Sequence, residues 1–204
     1  MCKIGAIILA AGQSNRMGEP KIFLPYLNKA LIQYPVSLAV REKLNPIIVV
    51  GGKYVHQLEI ELSEFSGQIT IIHNGEYEQG MSSSLKLGMK SLSVEVEGVF
   101  IFLGDQPLVT SAIIQNLIRV YKQNKGGGTS IVRPRYAGKP GHPILFDKSL
   151  FTNFQDLSGD EGGKRIIKEN ENKLMYVDFE DGRLHFDIDT PADYRTLIRN
   201  IEGV

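Results

Sequence analysis

Ile7-Ile8-Leu9-Ala10-Ala11-Gly12-Gln13-Ser14-Asn15-Arg16-Met17-Gly18-Glu19-Pro20-Lys21 continues an apolar run that opens at Ile4. A run from Ile4 to Leu9 without a polar residue suits a parallel strand covered on both faces. It empties into small residues and glycines, with Arg16 and Lys21 on the far side. Small residues let the backbone approach a ligand closely, and turned N–H groups there can cradle anionic oxygens. A tight bend alone has no need of two cations. The stretch therefore predicts a strand and a nucleotide-phosphate loop, with Leu9, Ala10, Ala11 and Gly12 against the nucleotide and Arg16 and Lys21 against its phosphates. It is neither of two common phosphate motifs: Gly12 and Gly18 are six apart, Glu19-Pro20 precedes Lys21, and no G-x-G-x-x-G is present.

The bulk numbers exclude several classes. A chain of 204 residues predicts one domain with one sizeable core. Lys and Arg number 23 and Asp and Glu also 23, so no overall basic field argues for nucleic acid or an anionic membrane. No apolar run reaches the ~20 residues that span a bilayer, and the first residues lack a cleavable leader pattern. The single cysteine, Cys2, excludes an internal disulfide and a multi-cysteine metal site. A cytoplasmic protein is expected, monomeric because no long apolar stripe remains once the core is assigned.

Along the chain, helical spacing covers Ala30 to Lys43, where Pro35 requires the regular helix to start near it or to kink. Pro46 to Val50 reads as a strand, Tyr54 to Phe65 as a helix, and Ile69 to Ile72 as a strand. A helix opens at Ser82, Val99 to Leu103 is a wholly apolar strand, and Thr110 caps a helix running to about Lys125. Thr129 to Arg133 and Pro143 to Phe146 are later strands. Asp160 to Glu169 reads as helical, Leu174 to Val177 and Leu184 to Ile188 as strands, and Thr190 starts the last helix. Strands alternating with helices over the first 125 residues predict a parallel sheet with helices on both faces, its ligands beyond the carboxyl ends of the strands.

Four further constellations carry chemistry. Leu103-Gly104-Asp105-Gln106-Pro107 puts a carboxylate at the tip of an apolar strand, a placement suited to a hard cation such as Mg²⁺. Phe186-Asp187-Ile188-Asp189-Thr190-Pro191 puts Asp187 and Asp189 on one face if it is a strand, one carboxylate holding metal and the other supporting it. Asp189 is alternatively an N-cap before Thr190-Pro191. Arg16 and Lys21 cannot neutralise a triphosphate alone, and carboxylates facing phosphates would repel them unless a cation lies between. Gly80-Met81-Ser82-Ser83-Ser84 crowds serines at a helix N-terminus, whose N–H groups attract anions or sugar hydroxyls. Plain N-capping accounts for one serine, not three. Last, Arg133 to Pro143 concentrates positive charge in a neutral chain and Gly159 to Arg165 brings Lys164 and Arg165, offset by Asp160 and Glu161; together they are read as an acceptor-phosphate site. His142 there is a general base or a loop hydrogen-bonder.

Leu9 to Lys21 matches every fixed position of L-A-[AG]-G-x-[SG]-x-R-M-G-x-x-K and resembles the signature of GT-A-like nucleotidyltransferases. With Tyr77 to Ser84, Leu103 to Pro107, Gly141-His142-Pro143, Gly159-Asp160 and Asp187 to Pro191, nearly the whole chain resembles the MobA-like nucleotidyltransferases, most of all their molybdenum cofactor cytidylyltransferase branch. The resemblance implies a Rossmann-like three-layer αβα sandwich. Residues 1–125 would form mainly the nucleotide half, and 126–204 the acceptor-binding, metal-completing half. It implies that the terminal phosphate of molybdopterin attacks the α-phosphate of CTP and expels pyrophosphate with Mg²⁺, or Mn²⁺ in its place. Arg16, Lys21 and Asp105 would be catalytic, Asp105 and Asp189 would hold the metal, and Gly80, Ser82, Ser83 and Ser84 would line the base and ribose pocket. Arg133, Lys139, His142, Asp160 and Lys164 would bind the acceptor. The cytidylyl branch has Ala where the guanylyl branch has Gly, as here at Ala11; the chain departs from the branch at Gly162-Gly163-Lys164, where Gly-Ala-Arg is common. A molybdoenzyme or its maturation chaperone is the implied protein partner. Two other readings stand beside this one: transfer to a sugar or other small phosphate, and a non-catalytic protein that delivers cofactor to a molybdoenzyme.

Overall fold

The structure is a computed structural model that describes residues 2–12, 14, 17–185 and 188–202. Arg16 and Asp187, both singled out above, lie outside the described residues. The strands are β1 (Ile4–Ala10), β2 (Pro25–Tyr26), β3 (Lys29–Ala30), β4 (Ile47–Gly51), β5 (Thr70–His73), β6 (Gly98–Leu103), β7 (Ile131–Tyr136), β8 (Lys139–Pro140), β9 (Ile144–Asp147) and β10 (Leu174–Phe179). The helices are α1 (Gln33–Arg41), α2 (Val55–Glu61), α3 (Met81–Lys90), α4 (Ser111–Asn124), α5 (Lys164–Glu169) and α6 (Pro191–Glu202).

The main sheet has the order β10-β7-β9-β6-β1-β4-β5, with β8 paired to β7. β1 pairs in parallel with β4 and β6, β4 with β5, and β10 with β7. Strand β9 alone runs against both of its neighbours, β6 and β7. The parallel part, β5-β4-β1-β6, is the sheet that the alternating pattern predicts over the first 125 residues, and the whole is the mostly parallel, Rossmann-like α/β arrangement that the resemblance implies. Period-two alternation splits β1 between two cores. Ala6, Ile8 and Ala10 face a layer built with Leu38 of α1, Leu58 of α2 and Leu117 of α4. Ile7 faces the other layer, with Leu85 and Met89 of α3, Phe154, and Ile166 and Ile167 of α5. Gly88 lets α3 lie directly on β1, since a Cβ there would stand 2.8 Å from Ile7 Cγ2. The chain leaves β1 towards β4 and β5 on one side and returns to β6 on the other, so the order reverses between β1 and β6. Ligand crevices of open α/β sheets form at such reversals.

Several boundaries differ from expectation. Helix α1 starts at Gln33, so Pro35 falls in its first turn, where no intrahelical N–H is lost. Thr110 stands at the N-cap of α4, but its side chain makes no capping bond. The helix expected over Asp160 to Glu169 is regular only from Lys164, because Gly159 and Gly162 take positive φ of 55° and 56°. The strand expected over Leu184 to Ile188 opens instead as the tight turn Gly182–His185. There Asp181 accepts from the backbone N–H of Arg183 through its carboxylate and of Leu184 through its carbonyl, local bonds that outcompete a ladder. No helix among the described residues is long and apolar enough to cross a membrane.

Candidate active site

A cleft of about 500 Å³ opens beyond the carboxyl ends of β1 and β6. Leu9, Ala11 and Gly12 reach it from β1 and its loop, Lys21 from the end of that loop, and Leu103, Gly104 and Asp105 from β6. Gly80, Met81 and Ser84 come from α3 and its approach, Asp160 and Asp189 from later loops. Ala10 is buried in the sheet and does not line the cleft.

Lys21 is the centre of its charge. The ammonium Nζ lies 2.5 Å from Asp105 Oδ2 and 3.1 Å from Asp189 Oδ1. Burial works against the charged amine, but Asp105 and then Asp189 more than offset it, so its pKa is raised above the ordinary lysine value. Its position is set locally as well: the Lys21 backbone N–H donates to Ser14 Oγ at 3.1 Å. Sequence reading passed over Ser14, although it occupies a fixed position of the loop signature.

Asp189 is spared the capping role left open for it. Thr190 is the N-cap residue of α6: the Asp193 N–H donates to Thr190 Oγ1 at 3.2 Å, and the Thr190 N–H donates to Asp193 Oδ2 at 2.7 Å. This reciprocal box also takes the Asp189 N–H, at 3.1 Å to Asp193 Oδ2. The Asp189 carboxylate is thereby left to face Lys21.

The serines do something other than expected. Ser82 is buried and its hydroxyl donates to the Ser158 carbonyl at 3.1 Å. Asn74, also buried, donates to Ser83 Oγ at 2.8 Å and Ser84 Oγ at 2.9 Å. Ser83 Oγ in turn lies 2.8 Å from the Gly80 carbonyl. Two of the three hydroxyls, on Ser82 and Ser83, do not line the cleft; they stitch the loop before α3 to its neighbours. The N–H groups at the start of α3 are also engaged. Met81 N–H donates to Asp160 Oδ1 at 3.0 Å, and Ser82 N–H to the Gly159 carbonyl at 3.1 Å. They are therefore not open to a ligand anion, which corrects the sequence reading. Gly80, with φ of 97°, permits this close approach: a Cβ there would stand 2.5 Å from Asp160 Oδ1.

The expected acceptor group is divided. Asp160 lines the cleft, whereas Arg133, Lys139, His142 and Lys164 are not among its described lining residues. Arg133 is half-buried on β7 and its Nε donates to the Gly141 carbonyl at 3.1 Å; burial pushes its pKa down. Lys139 and Lys164 are exposed. The His142 carbonyl accepts from Tyr136 Oη at 2.8 Å. Tyr77 and Glu78 also line the cleft; the sequence places them in the Tyr77 to Ser84 stretch but assigns neither a role of its own.

Among the described lining residues, four carboxylates (Glu78, Asp105, Asp160 and Asp189) face one ammonium. An anionic ligand entering here needs added positive charge. Asp105 and Asp189 already converge on one cationic nitrogen, and two carboxylates form the hard-oxygen donor set that suits Mg²⁺ or Mn²⁺ together with phosphate oxygens. The residues present thus fit a divalent cation.

The chain is similar to known proteins over nearly its whole length. The family described as the MobA-like NTP transferase domain matches residues 6–174. The chain is 30% identical over 198 residues to a molybdenum cofactor cytidylyltransferase of Escherichia coli K12, covering 96% of each chain. It is 26% identical to the purine catabolism protein PucB of Bacillus subtilis 168, covering 95% of each. The crystal structure of Rv0371c from Mycobacterium tuberculosis H37Rv superposes with a TM-score of 0.82 at 28% identity, covering 97% of both chains. A complex of that protein with manganese gives 0.76 at 25% identity, covering 97% of this chain and 98% of that one. With the family match over most of its length and the mostly parallel sheet described above, this chain belongs to the MobA-like NTP transferase family.

Proposed function

We propose that the protein is a CTP:molybdopterin cytidylyltransferase, moving CMP to the acceptor's terminal phosphate with release of pyrophosphate. The observation that carries this reading is the Lys21 ammonium set between Asp105 and Asp189 at the mouth of the phosphate loop. Gly12 and the loop backbone approach the triphosphate, and Lys21 orients it and offsets its charge, with Arg16 assigned the same task by the loop signature. Asp105 and Asp189 hold Mg²⁺ or Mn²⁺, which when bound supplies the remaining positive charge for phosphoryl transfer. The acceptor phosphate oxygen then forms the new bond to the α-phosphorus as the bond to pyrophosphate breaks. Ala11 lines the cleft, and its methyl group favours a pyrimidine over a purine by roughly 1–3 kcal/mol on the arithmetic of small pockets. The division into a nucleotide half over 1–125 and an acceptor half over 126–204 follows from the same reading, with Arg133, Lys139, His142 and Lys164 on the acceptor side.

The test is turnover of the purified protein with Mg²⁺, molybdenum-loaded molybdopterin and CTP, GTP or ATP, reading pyrophosphate and dinucleotide. Product with CTP is expected, and Asp105→Ala should lower the rate at least about a hundredfold. No pyrophosphate with molybdopterin but release with a sugar phosphate would replace the acceptor. Nucleotide binding without turnover on any acceptor would favour the delivery role.

A further inference from the structure

Asp160 stands where the two halves of the chain meet at the cleft, and its chemistry does not suit the acceptor site to which the sequence pattern assigns it. A carboxylate repels a phosphate; it stabilises a helix N-terminus. Its Oδ1 accepts from Met81 N–H at 3.0 Å, at the first residue of the ten-residue helix α3. The neighbouring bonds run along the same seam: Ser82 N–H to the Gly159 carbonyl and Ser82 Oγ to the Ser158 carbonyl, both 3.1 Å. The seam is also closed sterically. A Cβ on Gly80 would stand 2.5 Å from Asp160 Oδ1 and 2.6 Å from the Gly159 carbonyl carbon, and one on Gly162 would stand 3.0 Å from Met81 Sδ. Gly80, Met81 and Asp160 all line the cleft, so whatever fixes this seam fixes one of its walls.

We propose that Asp160 is a positioning residue for the nucleotide pocket, holding the first turn of α3 in place through Met81 N–H. This role rests on the reading of the cleft as a nucleotide site. Asp160 is exposed, so truncating it removes the tether without opening a core cavity. Asn can accept the same hydrogen bond through its amide oxygen, whereas Ala cannot.

The experiment compares wild type, Asp160→Ala and Asp160→Asn as full chains. Equilibrium binding of CTP with Mg²⁺ is measured by calorimetry without acceptor, initial rates are measured with nucleotide and molybdopterin varied separately, and exchange of the Met81 amide is followed by deuterium uptake. Asp160→Ala should weaken CTP binding and raise the nucleotide KM about tenfold, the fold-change that corresponds to a helix cap's contribution if all of it is felt at the pocket. The acceptor KM and kcat should stay within about twofold and Met81 exchange should quicken. Asp160→Asn should stay within about threefold of wild type. An increase in acceptor KM alone, Asn as damaging as Ala, or unchanged binding in both variants would each overturn the role. Wild type that binds no nucleotide would instead overturn the functional reading, and this role with it.

Discussion

The Lys21 side chain joins two carboxylates from distant parts of the chain, Asp105 after β6 at its middle and Asp189 before α6 near its end. Since burial is outweighed by Asp105 and then Asp189, its folded pKa lies above the unfolded one, which is about 10.4. A raised lysine contributes stability that is fully present below the unfolded value and is lost as pH rises through the folded one. Lys21→Met should therefore destabilise the protein by a constant amount from neutral pH to about pH 10, and by progressively less above it. Thermal midpoints of the pair across that range check this; a difference that had already vanished at pH 8 would contradict it. The same residue shows what could be read beforehand. Lys21 and Asp105 were legible because each follows an apolar strand whose direction fixes where its end lies. Their contact was not, because a salt bridge across the sheet leaves no local spacing. Thr190 and Asp193 carry a recognisable capping pattern, three residues apart, that places the N-cap at Thr190 and not at Asp189.

At the level of elements, β1, β4 and β6 announce themselves as apolar runs, since strands buried on both faces need apolar residues throughout. The hairpin β2–β3 and the strand β8 are two residues each, too short to carry a period. Leu184 to Ile188 alternates well enough to imitate a strand, yet Asp181 folds its start into a turn. Three successive serines draw attention to α3, but their partners include Asn74, Ser158 and Gly159, and only the fold brings these together. The approach to α3 is thus constrained by conformation and by space at one glycine. Gly80→Ala should cost roughly 1–3 kcal/mol, combining a left-handed φ with a contact that backbone and carboxylate cannot both escape. A urea midpoint read beside nucleotide affinity measures it, and a variant as stable as wild type would refute the close approach.

Across the whole molecule, the strands before Lys125 and those after it share the sheet through one border, where β9 pairs antiparallel with β6. Other contacts join the same two parts. Tyr121 of α4 lies with its hydroxyl 2.5 Å from Asp147 Oδ2, at the end of β9. Burial raises the tyrosine's pKa; it also opposes the Asp147 charge, but the Tyr121 hydroxyl and then the Ser149 N–H hold that carboxylate below its usual range. On the other side, Ile188 and Leu197 pack with Leu24, Tyr26 and Leu31, and Tyr194 Oη donates to the Pro25 carbonyl at 2.6 Å. The covalent link between these parts, by contrast, is the turn Lys125–Gly127 followed by Gly128; its three glycines are exposed and it contributes no strand pair, while half-buried Lys125 pairs with Glu97 at 2.7 Å on the first side of the link. Continuity of the backbone at that point therefore does little that the border does not already do. Pieces 1–126 and 127–204, made together in one cell, should copurify as an equimolar complex with the far-ultraviolet spectrum of the intact chain. Pieces that remain apart would mean that the glycine turn matters for assembly, by holding the second set of strands near the first until β9 has docked.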